Sequence, residues 1–347
     1  MRANLASDAA PAAALLHLAG GFHVARALYV VAKLGIADLL GEGPKNGAQL
    51  AEATATHAPS LERVMRLLAC VGVFAADDSG CFVLTPLSIP LQSDRSESLR
   101  ELIVHQLGEE AYQAWGELMQ GVRTGAIAFD HAFGMDVWEY RAHHPGYAAL
   151  FDRAMSNVAG AHIDAVLAAY PFSAFRRVAD LGGGVGTFLI ALLSAHPGIQ
   201  GVLFDLPHVV ASARERIVNA GLAHRCKVQS GDIFTGVPEG ADAYVMSRVI
   251  HDWDDARALA ILGNCRRAMP RNGKLLLIER LLPVRPQPFS SVRALLVSDL
   301  MMMVMNGGGE RTEDQYRALL AASGLELMKV SPTATGMSVI EARPVRG

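Results

Sequence analysis

Arg177-Val178-Ala179-Asp180-Leu181 is a short apolar run holding one acid, and Gly182, Gly183, Gly184 and Gly186 follow it almost at once. Beyond them, Thr187 leads into Phe188 to Ala195, where Leu189, Leu192 and Leu193 share one side at helical spacing. A strand, a tight turn and a helix start in that order mark the place where α/β proteins bind nucleotide-like ligands. The glycines nearly complete the dinucleotide pattern G-x-G-x-x-G. After Gly182 and Gly184 the third glycine falls at position 187, which is Thr187. The turn allows close backbone approach, but its pattern disfavours a pyrophosphate and, with it, a nicotinamide dehydrogenase. A nucleoside ligand without phosphates, such as S-adenosylmethionine, fits better.

The rest of the chain from Arg176 onward alternates. Strands are expected at 177–181, 201–205, 226–230, 243–249 and 274–280. Helices are expected near 186–195, 208–219, 254–268, 291–305 and 312–322. Two strand-like runs, Leu325 to Val330 and Met337 to Ala342, close the chain. This implies an α/β fold, a doubly wound parallel sheet with an antiparallel edge hairpin.

The first hundred residues read differently. Leu15 to Leu40 is apolar at helical spacing, and Ala48 to Ala55 and Ser60 to Val71 read as two further helices, the second capped by Ser60. Gly72 to Leu84, broken by Asp77-Asp78-Ser79-Gly80, reads as a hairpin. Helices followed by a hairpin make a winged-helix pattern, and so raise a DNA-binding reading. Residues 1–95 hold seven Lys and Arg against eight Asp and Glu, so the basic footprint of a phosphate-backbone binder is missing. An apolar helical surface used for dimerisation is the simpler reading. Residues 96 to 172 read as a helical connector. The expected divisions are 1–100, 101–172 and 173–347.

The formal net charge of −3 gives no drive toward nucleic acid or an anionic membrane. Cys70, Cys81, Cys226 and Cys265 form no C-x-x-C pair, which reads as reduced thiols in a cytoplasmic protein without a zinc site. Pro11 to Leu18 is a poor secretory signal, with only Arg2 ahead of it and Asp8 intruding. No stretch is expected to cross a membrane, and the richest, Ala294 to Met305, is interrupted by Ser298 and Asp299.

The chemistry sits at the ends of the expected strands. Asp205 closes the second, 23 residues after Gly182, where an acid can accept from both ribose hydroxyls or cap the next helix. Asp232 and Ile233 follow the third. There Asp232 can accept from an adenine amine while Ile233 packs on the ring; a plain turn aspartate is the alternative. His251, in Ser247-Arg248-Val249-Ile250-His251-Asp252-Trp253, follows the fourth. Glu279 ends the fifth, and Glu310 follows Gly307-Gly308-Gly309. Strand order brings both acids toward His251, where a carboxylate on one imidazole nitrogen leaves the other as a base.

With these motifs in place the chain resembles the S-adenosylmethionine-dependent O-methyltransferases of the plant caffeate and flavonoid type, with bacterial relatives acting on polyketides and phenazines. The resemblance spans nearly the whole chain. It rests on Asp180 to Gly186, Phe204 to His208, Gly231 to Phe234, His251-Asp252-Trp253, Asn272-Gly273-Lys274 and Gly308 to Thr312. It implies a class I methyltransferase fold with an N-terminal dimerisation domain, S-adenosylmethionine as cofactor, no metal, and a small aromatic hydroxyl acceptor. It also implies cofactor contacts at Gly182, Asp205, Asp232 and Ile233, a base at His251 flanked by Glu279 and Glu310, and pocket positions at Phe151, Met155, Met301, Met302 and Asn306. Plant members carry a cofactor-contacting lysine and a tryptophan where this chain has Ser247 and Arg248, a form found in bacterial relatives. Those two residues are assigned to the cofactor site. The loop Asn306 to Glu310 is one residue shorter than in plant members. The methionines around Met301 read either as core filler or as a soft lining for a flat acceptor. Rival readings are a relative that binds the cofactor but does other chemistry, and a non-enzymatic ligand-sensing winged-helix protein.

Overall fold

The computed structural model describes residues 11–95, 97–285 and 292–345. The chain divides into two units. One takes the residues up to Tyr112 together with Arg153–Val158, and the other takes Gln113–Asp152 and everything from Ala159 on.

The N-terminal unit opens with helix Pro11–Leu34, followed by helices Ile36–Gly41, Gly47–Ala53 and Ala58–Cys70. Asn46 and Gln49 form a reciprocal capping box that starts the third. Ser60 does not cap the fourth. That helix begins at Ala58 with Pro59 in its first turn, a position where a missing N–H costs nothing, and the Ser60 hydroxyl lies 2.9 Å from His57 Nδ1. Strands β1 (Phe74–Ala76) and β2 (Phe82–Leu84) pair antiparallel as the expected hairpin. Asp77 holds its turn, accepting at Oδ1 from the backbone of Ser79 and Cys81, both at 2.9 Å. Ile36, Leu50, Met65, Leu68 and Phe74 form the buried centre.

Helix Pro11–Leu34 buries only Ala27, Val31 and Ala32, while Leu15, Leu16, Leu18 and Phe22 stay 53–73% exposed. By length and composition alone this helix could cross a membrane, with a mean hydropathy of 1.4 over its best window, although no uninterrupted apolar run in it reaches ~20 residues. The expectation counted uninterrupted apolar residues, and His17, His23 and Arg26 interrupt this helix without lowering its average far.

The second unit is built on seven strands: β3 (Arg177–Leu181), β4 (Gln200–Asp205), β5 (Cys226–Ser230), β6 (Ala243–Ser247), β7 (Lys274–Arg280), β8 (Leu325–Pro332) and β9 (Met337–Pro344). Their order is β5-β4-β3-β6-β7-β9-β8. The strands β3 to β7 pair in parallel, and β9 runs antiparallel to both β7 and β8. Helices cover both faces, so the central strands are apolar on both sides. Val178, Leu203, Val245 and Leu276 face Leu189, Leu192 and Ile217. Ala179, Leu181, Tyr244 and Met246 face Ile261, Leu262, Tyr316 and Leu320. The chain leaves β3 toward β4 and β5, then returns to β6 on the other side. That reversal opens a crevice at the carboxyl ends of β3 and β6.

One strand stops short of its expected end. β6 finishes at Ser247 because Arg248 adopts φ +53°, a left-handed turn that no β-strand tolerates.

Candidate active site

The glycine turn lies at the carboxyl end of β3. Gly182 has φ +66°, and a Cβ there would come within 2.9 Å of Val249 Cγ2, so both conformation and space demand glycine. At Gly184 the corresponding position meets nothing within 4 Å, which leaves the backbone open to a ligand. The Asp205 carboxylate faces this turn, accepting from Gly184 N and Leu206 N, each at 2.7 Å. Asp205 is not a helix cap: the next helix begins at Pro207 with Leu206 at the cap position. Asp232 accepts from Phe234 N at 2.8 Å, and Asn264 holds the Ile233 carbonyl at 2.7 Å, so the loop after β5 is fixed from both sides. Ile233 is half-buried against the core, and Ser247 is half-buried at the end of β6. These groups make an open-backed cradle with two carboxylates, which suits a nucleoside with ribose hydroxyls and no phosphate.

Beneath the turn lies Asp180, only 1% exposed, with Oδ2 lacking a hydrogen-bond partner. Burial, helped by the charge of Asp205, pushes its carboxyl up to about 7. The sequence reading noted the acid in this run but gave it no role.

His251 sits on a single 3₁₀ turn, Ile250–Asp252, after β6. Its Nδ1 is 3.1 Å from Glu310 Oε1 and 3.9 Å from Glu279 Oε2, and its Nε2 is 3.7 Å from Asp252 Oδ1. The two glutamates act differently. Glu279, fully buried, turns Oε1 to the backbone amides of Val249 and Ile250, at 3.2 and 3.0 Å, and so holds the histidine turn itself. Glu310 Oε1 also accepts from Ser298 Oγ at 2.8 Å. Asp299 Oδ1 accepts from Glu310 N at 2.9 Å, and Gly309 N donates to the His251 carbonyl at 2.9 Å. A Cβ at Gly308 would overlap the His251 carbonyl and the Asp252 backbone, so this loop lies directly on the histidine turn. Arg311 binds the turn on both sides, through the carbonyls of Ile250 at 3.1 Å and Trp253 at 2.8 Å. Neither Ser298 nor Asp299 was singled out for a role by the sequence, because a helix interior hides which side chain meets a distant loop.

These surroundings shift the charges. Burial alone would lower the His251 pKa, but Glu279, Asp252 and Glu310 outweigh it and raise the imidazole to about 9. Burial pushes Glu279 up to about 7, against the pull of His251. Glu310 falls below its ordinary value despite burial, because its bonds from His251 and Ser298 favour the carboxylate. Arg248, Arg280 and Ser298 join His251, Glu279 and Glu310 around a cavity of about 20 Å³. His251, Glu279 and Glu310 each offer a ligand atom, all within 4.8 Å of one another, so the trio has the donors for a cation.

On the Nε2 side Asn306 donates to Asp252 Oδ1 at 2.6 Å, and Met302 lies against Asn306. Met301 and Met303 pack on Val304 and Met305 and, across them, on Ala114, Phe129, Val137 and Tyr147. The methionine run therefore serves partly as core. Phe151 stacks beneath the Arg141 guanidinium at 3.6 Å. Met155 falls within Arg153–Val158, the segment that packs with the N-terminal unit.

Comparison with known proteins agrees with this arrangement. Residues 115–326 match the O-methyltransferase domain family, and residues 16–92 match the O-methyltransferase dimerisation domain. The chain is 44% identical over 332 residues to a phenazine O-methyltransferase of Lysobacter antibioticus, covering 95% of this chain and 96% of that one. It is 39% identical to a mitomycin biosynthesis 6-O-methyltransferase of Streptomyces lavendulae, over 92% and 90% of the two chains. An O-methyltransferase from neocarzinostatin biosynthesis, solved with S-adenosylmethionine and 2-hydroxy-5-methyl naphthoic acid, superposes with a TM-score of 0.84 at 33% identity, over 92% and 96% of the chains. The chain belongs to the S-adenosylmethionine-dependent O-methyltransferase family, with that family's dimerisation domain at its N-terminus.

Proposed function

We propose that the protein methylates a phenolic hydroxyl of a small specialised aromatic metabolite, using His251 as general base and no metal. The observation that carries this reading is the hydrogen bond that Glu310 Oε1 accepts from His251 Nδ1, which leaves Nε2 as the atom that receives a proton. When bound, S-adenosylmethionine supplies the activated methyl group. Gly182, Asp205, Asp232, Ile233, Ser247 and Arg248 hold it at the ends of β3 to β6. Phe151, Met301, Met302 and Asn306 line the acceptor side.

The raised pKa of His251 bears on the energetics. A free phenol titrates near ~10 and a free histidine near ~6.5, a mismatch of about 3.5 units or ~5 kcal/mol. With His251 raised to about 9, most of that mismatch is removed. Glu279 and Glu310 are positioning residues that stabilise the imidazolium as it forms. Arg248 and Arg280 line the same cavity as the trio and disfavour a second cation there, which supports metal-free chemistry.

The relatives act on aromatic acceptors, by their names, and this supports the acceptor class. The exposed apolar face of helix Pro11–Leu34 and the dimerisation-domain match support a homodimer. The test is to incubate the protein with S-adenosylmethionine and a panel of aromatic hydroxyl compounds and look for the mass gain of one CH₂. His251→Ala is expected to lose about 10²- to 10⁴-fold in rate while still binding S-adenosylhomocysteine. A near wild-type rate in that variant overturns the base assignment. Turnover that survives chelator treatment supports the metal-free reading, and loss restored by a divalent cation overturns it.

A further inference from the structure

Helix Val137–His143 carries a cation that methyl transfer does not use. Arg141 is 8% exposed, and its Nε and Nη1 are buried without a hydrogen-bond partner. Its guanidinium is held by rings, lying 3.6 Å from the centroid of Phe151 and 4.6 Å from that of Trp138. Such stacking fixes the plane of the group but satisfies none of its in-plane donors.

The groups that face Arg141 are the hydroxyl of Tyr147 and the carboxylates of Asp252 and Asp152, which favour its charge against the cost of burial. The aromatic stack locates the cation relative to the reaction. Trp138, over which Arg141 lies, stacks on Trp253 at 5.5 Å, two residues beyond His251, so the guanidinium belongs beside the histidine turn. An acceptor hydroxyl has to lie against Nε2 of that same turn.

We propose that Arg141 binds a carboxylate on the acceptor, so that the substrate is an aromatic hydroxy acid rather than a neutral phenol. This rests on the reading of His251 as the base. A buried guanidinium with two idle nitrogens gains charge-assisted hydrogen bonds from a carboxylate, whereas a neutral ring leaves those donors desolvated. The same chemistry could serve the carboxylate of the cofactor's methionine moiety, and the experiment separates the two sources.

The experiment titrates the full-length protein, saturated with S-adenosylhomocysteine, with 3-hydroxy-2-naphthoate and with 2-naphthol. Wild type is expected to bind the naphthoate at least about tenfold more tightly than the naphthol. Arg141→Met should abolish that preference with naphthol affinity unchanged, and Arg141→Lys should keep part of it. Equal affinity for the two probes in wild type overturns the proposal. So does an equal loss for both in Arg141→Met, the mark of a purely structural role. If S-adenosylhomocysteine affinity falls in Arg141→Met while the naphthoate preference persists, the carboxylate belongs to the cofactor and the proposal fails. Should Arg141→Met not fold, the wild-type preference and Arg141→Lys still decide. His251→Ala is expected to keep the naphthoate preference, so failure of the base assignment shows in turnover alone.

Discussion

Glu310 Oε1 stands between two donors, 3.1 Å from His251 Nδ1 and 2.8 Å from Ser298 Oγ, so the imidazole is oriented by an acid that is itself held by the preceding helix. An orienting acid of this kind does two things. It selects the tautomer with Nε2 free, and it raises the affinity of the ring for a proton.

The rate should therefore depend on pH through His251. With its pKa raised to about 9, the imidazole is mostly protonated at neutral pH, and kcat should climb until the medium passes about 9. Glu310→Gln removes a charge that raises this pKa. Its rising limb should shift to lower pH, with a lower plateau. A limb that stays in place would show that Glu310 does not set the basicity of His251.

Asp180 makes a prediction about stability. Its folded pKa, about 7, lies above the ordinary 3.8, so the folded state holds a proton that the unfolded state has released. The sign follows: the burial penalty is absent below the unfolded value, grows as pH rises between the two, and is complete above about 7. At most it amounts to ~4 kcal/mol, taking ~1.4 kcal/mol per unit. Thermal melts of the cofactor-free protein should show Asp180→Asn gaining stability over wild type at pH 8 and little at pH 4. A constant difference across that range would argue against a buried neutral carboxyl.

Gly308 lies on the His251 turn with no room for a side chain. Gly308→Ala has to displace either the 306–310 loop or the histidine turn, at a cost of roughly 1–3 kcal/mol. Activity should fall well below wild type while calorimetry still finds S-adenosylhomocysteine binding, since the glycine turn after β3 is untouched. Loss of cofactor binding would show that the two loops are not independent.

Leu16 and Leu18 are 73% and 67% exposed on helix Pro11–Leu34. Leu15, 68% exposed, lies one turn before Leu18 on the same face; if this face meets a second copy, the double substitution Leu15→Asp and Leu18→Asp should turn the dimer into a monomer in light scattering, with the mass halved. A dimer of unchanged stability would move the interface elsewhere.

Much of the fold was legible because its signals are local. The runs that became β3 and β7 have apolar centres, are short and are bounded by turn residues, and their expected ends match the observed ones. Thr312 and Gln315 cap the helix Glu313–Ala322 through bonds within four residues, which any sequence window contains. The misreadings came at the ends of elements, where backbone conformation rather than apolar spacing sets the boundary. Arg248 ends β6 early through a positive φ that its side-chain type does not favour. Ser60 lost its capping role because Pro59 starts the helix two residues sooner than the apolar spacing suggested.

By itself the sequence determined the alternating α/β order, the glycine turn, and the acids and histidine that end the strands, because each depends on residue type and short-range spacing. Only the tertiary structure decided that Glu310 takes the imidazole while Glu279 takes the backbone, and that Asp252 Oδ1 faces Nε2 of the neighbouring His251. His251 and Glu310 are 59 positions apart, yet these groups meet within a few ångströms where strand ends and a loop converge. Their charges and protonation follow from burial and from one another, and neither exists until the chain has packed.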